Sequence, residues 1–190
     1  VEKLKKKRGG KVLGTRVGKK VAEAFDLYSA DDTEGALNIL LALEPKGKFD
    51  KAYVARYIGS LYATTEGKSK VAMEYLRRAK DADILPFNDH AAVIRTLADL
   101  SFAEQEFENA IRLYQEYMDF SYDLDPSVFL RMASAYMENK DYVNVIEPAE
   151  RAIELFEKPN QNPYILIMGA YYERKMYPEA TKAVETLVKT

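Results

Sequence analysis

The 190-residue chain has no cysteine and a single histidine, His90. Without cysteine there is no disulfide framework, no thiolate nucleophile and no Cys-ligated zinc, and the absence suits an oxidising or a reducing compartment equally. One histidine closes off most nucleophile–base pairs and zinc constellations. His90 stands in NDHAAV at a predicted helix start, where a partly exposed polar side chain is expected. No apolar run approaches the roughly 18 residues that a membrane span requires. Gly9-Gly10 followed by Gly14 and Gly18 lacks both the preceding strand and the GK[ST] ending of a phosphate loop. The paired carboxylates Asp31-Asp32 and Asp123/Asp125 fall in turns beside helix starts, where capping accounts for them without acid–base chemistry. Neither an enzyme nor a bound metal or cofactor is expected.

What is present is ample apolar and charged material. At 47% hydrophobic and 31% charged, the chain can bury a core and form one domain or a short repeat array. The first 20 residues hold nine Lys and Arg against Glu2 alone, and the remainder carries 19 basic against 29 acidic residues. A basic arm on an acidic body argues only weakly for nucleic acid, because phosphate affinity needs a positive surface on the folded unit and here the arm alone supplies it, so no nucleic acid is expected. Residues 1–16 therefore read as a basic, partly flexible segment broken by glycines. The chain begins at Val1 without an initiator methionine, so it is expected to be a processed form or a piece of a longer protein.

Helical periodicity runs throughout, and small residues recur. Ala36, Ala72, Ala110, Val145 and Ala180 follow one another at spacings of 36, 38, 35 and 35. A second small set, Ala24, Gly59, Ala98 and Ala133, precedes them by about one helix and a turn, and Met168 takes that place in the last segment. Two small residues let paired helices approach, while Leu27, Tyr62, Tyr136 and Tyr171 fill the gap to the next hairpin. Helices are expected near 17–29, 33–43, 50–65, 69–82, 89–104, 107–121, 126–138, 142–157, 162–174 and 177–189. Asp32, Asn88 or Asp89, Asp125, Asp141 and Asn162 are the expected starts and caps. Pro148, about six residues inside its predicted helix, should kink it, and Glu66 is one residue more than the pattern needs before Gly67.

The segments AFDLYSADDTEGALNILLAL, YIGSLYATTEGKSKVAMEYLRRA, LADLSFAEQEFENAIRLYQEY, MASAYMENKDYVNVIEPAERA and IMGAYYERKMYPEATKAVETL resemble the tetratricopeptide repeat, a helix-turn-helix unit of about 34 residues. The resemblance implies an all-α solenoid, a right-handed superhelix of about five repeats near 17–50, 51–88, 89–125, 126–160 and 161–190. It also implies a non-catalytic scaffold that binds a protein partner in a concave groove lined by the first helix of each repeat. Counted along those helices, the groove should show Phe25 and Tyr28, then Tyr53, Arg56 and Tyr57, then Arg95, Asp99 and Phe102, then Arg131 and Met137, then Tyr172. Tyrosine and arginine bring area, stacking and hydrogen bonds at modest entropic cost. In tetratricopeptide cochaperones a Lys/Asn/Arg clamp holds a chaperone's terminal carboxylate; here those places carry Val21, Phe25, Tyr57, Ala92 and Thr96, so the clamp is absent. Val184, Leu187 and Val188 on the last helix lead us to expect weak self-association.

The phrases RVGKKV, FDKAYVARYIG, EKPNQNPY and YYERKMYPE are similar to those of tetratricopeptide proteins encoded with TonB systems of Gram-negative bacteria. That resemblance implies a periplasmic component supporting TonB-dependent uptake of iron carriers, with TonB-complex proteins as partners. It further implies that repeats beyond the fifth exist in the whole protein. The alternative is an intracellular, cytoplasmic tetratricopeptide adaptor for a peptide or chaperone.

Overall fold

The computed structural model describes residues 2–188 and is all-helical across them. Eleven helices follow one another among the described residues: α1 Glu2–Arg8, α2 Thr15–Ser29, α3 Thr33–Leu41, α4 Lys48–Ala63, α5 Ser69–Asp81, α6 Phe87–Ala103, α7 Phe107–Ser121, α8 Pro126–Glu138, α9 Ile146–Leu155, α10 Gln161–Glu173 and α11 Tyr177–Val188. From α2 onward they alternate along the chain as first and second helices, and α2–α3, α4–α5, α8–α9 and α10–α11 pack as hairpins. Two compact units are formed, Val1–Leu100 and Ser101–Thr190.

The small residues are where the helices close. Ala24, Ala36, Ala72, Ala98, Ala110, Ala133 and Val145 are all fully buried. At Gly59 a Cβ would lie 2.7 Å from Cγ of Leu76 and 3.1 Å from its backbone nitrogen, so α4 and α5 meet at a distance that only glycine allows. In the first unit Val21, Leu37, Leu40, Val54, Ile58 and Leu61 form the core, with Leu27 and Tyr62 packed against it. Each such side chain fully removed from water contributes about 1.5–3 kcal/mol. In the second unit Ala133, Val145, Ala149, Ile167 and Ala170 form a core flanked by Tyr136 and Tyr171. Met168, at the place expected to be small, is half-buried, and Gly169 beside it makes the close approach instead, its would-be Cβ 2.8 Å from Met137 Cε.

The turns inside the hairpins repeat as strictly as the alanines. Asp31, Gln105, Lys140 and Lys175 have φ of 62, 62, 59 and 59°, and Gly67 has φ of 70°. Each stands five residues before its buried small residue. After four of the five first helices the next amide donates back across six residues: Asp32 to the Leu27 carbonyl (2.9 Å), Glu106 to Ser101 (2.8 Å), Asp141 to Tyr136 (2.9 Å) and Met176 to Tyr171 (2.9 Å). This left-handed cap satisfies carbonyls that the helix end leaves open. The second hairpin, with its extra Glu66, closes differently. There the hydroxyls of Thr64 and Thr65 donate to the Leu61 carbonyl at 2.9 and 3.0 Å.

Five local expectations are corrected. Residues 142–145 form a turn, not helix, and α9 begins at Ile146. Pro148 is thus in the first turn of α9, where its missing N–H has no intrahelical acceptor to lose, so it does not kink the helix interior. Asp141 does not cap α9: its carboxylate accepts from the Asn144 side chain at 2.7 Å. The α6 helix starts before Asn88 and Asp89, its first-turn bond running from the His90 amide to the Pro86 carbonyl at 2.9 Å. Asn160, not Asn162, caps α10, accepting from the Asn162 amide at 3.0 Å. The Asp32 and Asp125 caps are formed, each accepting a backbone N–H at 2.8 Å.

Two polar residues differ from expectation as well. His90 is buried, at 5% exposure, and its Nε2 lies 3.9 Å from the Asp83 carboxylate. Within the basic leader, residues Glu2–Arg8 are helical, and Arg8 donates to the Asp83 carboxylate and to the Leu85 carbonyl. That bond, and the charges of Arg8, His90 and Lys48, hold the Asp83 carboxyl below its ordinary range against the opposing effect of burial.

Candidate functional site

The eleven residues expected to line a groove divide between the two units, and each set is described within its own unit. In the first, Tyr53, Arg56 and Tyr57 stand on one face of α4, being three and four residues apart. The Arg56 guanidinium lies 4.8 Å over the Tyr53 ring, and its Nη1 is 3.5 Å from Oδ1 of Asp89 on α6. Arg56 Nε and the Tyr57 hydroxyl are buried without a hydrogen-bond partner among the described residues. Burial pushes the Tyr57 phenol up; the neighbouring Tyr28 and Tyr53 add to the shift and Arg56 opposes it. Tyr57 is therefore a neutral hydroxyl at physiological pH. Phe25 and Tyr28, one turn apart on α2, are exposed. Arg95 and Asp99, one turn apart on α6, are half-buried and both engaged by neighbouring groups.

In the second unit the expected residues are more occupied with the fold. Phe102 meets Phe107 edge to face at 5.6 Å. Met137 fills the space left by Gly169. Arg131 is exposed and has a partner. Tyr172 is 62% exposed and packs edge to face on Tyr177 at 5.6 Å. The structure thus brings Tyr53, Arg56 and Tyr57 together, uses Phe102 and Met137 in packing, and leaves Tyr172 on the surface.

Sequence reasoning overlooked a second kind of surface. In each unit two successive second helices flank a groove floored by the first helix between them. The α3–α4–α5 groove encloses about 460 Å³ over Leu40, Val54, Ala55 and Ile58, and its charged lining residues are Lys48, Lys51 and Arg78. The α7–α8–α9 groove encloses about 480 Å³ over Met118, Phe129, Met132 and Tyr136, with Glu147, Glu150 and Glu154 against one cation, Arg151. Burial, then Asp141 and Glu147, push the Tyr136 phenol up. The missed signal was Leu41, an apolar residue 44% exposed on a second helix, beside Lys48 and Lys51 a turn apart.

Among the described residues there is no cluster of three or more His, Asp or Glu able to hold a metal, and no helix long and apolar enough to cross a membrane. No family model and no curated protein sequence matches this chain. Solved structures do. A MamA structure shares 16% identity at a TM-score of 0.73, covering 93% of this chain and 92% of its own. MamA residues 41 to the end from Desulfovibrio magneticus RS-1 share 11% identity at a TM-score of 0.74, covering 94% of this chain and 96% of its own. A third, the MamA RS-1 ArsTM double mutant, has 12% identity and a TM-score of 0.76, with 94% and 96% covered. At such low identity the likeness is one of backbone, and it makes this chain a tetratricopeptide-type all-helical fold.

Proposed function

We propose that the chain is a non-catalytic scaffold that binds a protein partner, with Tyr53, Arg56 and Tyr57 of α4 as its principal contacts. One observation carries this: a stacked Tyr53–Arg56 pair beside Tyr57 on one partly exposed face of α4, the residue types that anchor protein interfaces. Arg95 and Asp99 of α6 extend the contact surface of the first unit; Arg131 and Tyr172 are the accessible contacts of the second. The tetratricopeptide-type fold supports the scaffold reading, because such repeats present rows of helix faces.

The finer identity follows the wording of residues 16–21, 49–59, 157–164 and 171–179. We propose on that support a periplasmic protein working with a TonB energy-transducing system in iron-carrier uptake. The test is capture of partners from periplasmic extract by wild type and by Arg56→Ala and Tyr57→Phe variants, with mass spectrometry of the bound proteins. TonB-complex proteins should be enriched and should fall about tenfold or more with Arg56→Ala. Undiminished capture by both variants removes the α4 face from the site. Fractionation that places the full-length protein in the cytoplasm removes the TonB reading.

A further inference from the structure

We propose that the α3–α4–α5 groove of the first unit docks an acidic amphipathic protein segment. The proposal rests on the scaffold reading above but concerns a different surface. Its floor is apolar, with Leu40 and Ile58 buried, and Leu41 on its edge is 44% exposed, a large side chain that the fold itself does not cover. Its charged lining is cationic, with Lys48 and Lys51 on α4 and Arg78 on α5, and no Asp or Glu lines the groove. A neighbouring depression shares Leu43 and adds Arg16 and Lys20.

Two acids interact with the rim cations. Asp83, whose charge reaches Lys48, is held by Arg8. Glu74 is 4.0 Å from Arg78 with both side chains more than 60% exposed, a geometry of small energetic weight. Lys20 does have a close partner, Glu23, at 2.5 Å. The Arg78 guanidinium is prepositioned 5.0 Å over the Tyr75 ring. A helix whose anchors recur at i, i+3, i+4 and i+7 would seat those side chains on the floor and place its carboxylates against the rim. The first unit as a whole has 19 Lys and Arg against 14 Asp and Glu, the second 9 against 16. The α7–α8–α9 groove is therefore a control built into the same chain: similar volume, opposite rim.

The test uses the full chain and a fluorescein-labelled synthetic helix of about four turns, with leucines at i, i+3, i+4 and i+7 and glutamates elsewhere. Anisotropy should show saturable binding that weakens with salt. Lys48→Glu/Lys51→Glu/Arg78→Glu should weaken it at least about tenfold, as should Leu41→Ser alone, while Glu147→Gln/Glu150→Gln leaves it unchanged. Should the triple reversal unfold the first unit, Lys48→Met/Lys51→Met removes the rim charge without repulsion and should give the same direction. Amide shifts should concentrate in residues 33–82. Equal affinity for a lysine version of the peptide, shifts centred on α7–α9, or no saturation overturns the proposal. Binding to phosphatidylglycerol vesicles but not to the peptide, lost in the same variants, gives the groove to a lipid surface and also overturns it. So does self-association in sedimentation that these variants abolish, which assigns the groove to a second copy. If the peptide fails while partner capture through Arg56 persists, the groove is rejected and the scaffold reading stands; if both fail, both are rejected.

Discussion

The grooves of the two units occupy equivalent positions in the repeat and share a plan. Ile58 corresponds to Met132 on the floor, Tyr75 to Pro148 and Arg78 to Arg151 on the second flanking helix, all counted from the buried small residues. Where they diverge is in the charges they gather: Lys48 and Lys51 from the first helix in one, Glu147 and Glu150 from the second flanking helix in the other, with Leu41 answered by Gln115. Floors must be apolar because they continue the core, so the repeat constrains them. Rims touch water and are free to take either sign, and charge at a rim governs encounter and partner choice more than stability. One architecture can in this way present two surfaces of opposite preference.

The largest expected effect probes how tightly each unit is closed. Gly59→Ala drives a methyl into Cγ and the backbone of Leu76, and should destabilise the first unit by about 2–3 kcal/mol. Gly169→Ala in the second unit meets only the mobile end of Met137 and should cost less than about 1 kcal/mol. Denaturant midpoints with unchanged m-values check both, and equal costs would erase the contrast. Next, Tyr57→Phe removes an unsatisfied buried hydroxyl and should stabilise the chain by up to about 1 kcal/mol. A fall in melting temperature would show that the hydroxyl is satisfied within the fold.

The turns offer a finer comparison. Lys140→Gly and Lys175→Gly relieve positive-φ residues in the second unit and should each raise stability by about 0.5 kcal/mol; Gly67→Ala, at φ of 70° in the first, should lower it by about 1 kcal/mol. Thermal melts of the three variants decide the point. The smallest effect belongs to acid. Asp83 has a folded pKa below its unfolded value, so its contribution is present above about pH 4 and is lost as the pH falls through the depressed folded value. With the carboxylate 68% exposed, solvent screening keeps this under about 0.5 kcal/mol. Asp83→Asn should flatten the acid limb of a pH–stability curve by that amount, and an unchanged curve would deny the Arg8 contact a role in solution.

Much of this architecture is local in origin, and for that reason the amino-acid sequence by itself determined it. A small residue every 35 to 38 positions dictates close helix pairs, and the left-handed residue five places earlier falls at the break that the same period marks. Tyr53, Arg56 and Tyr57 were legible because three- and four-residue spacings place side chains on one helix face whatever the surroundings. Only tertiary structure decided the rest. Phe102 and Met137 share the periodicity of groove residues, yet Phe107 and Gly169 from neighbouring helices consume their surface. His90 became buried because other segments close over a position that helix periodicity treats as an ordinary start. Most of all, the opposite rims could not be read along the chain, since each gathers residues from separate helices whose charges are mixed in sequence. Which of those charges share a groove depends on how three helices cross, a property of packing that no single segment encodes.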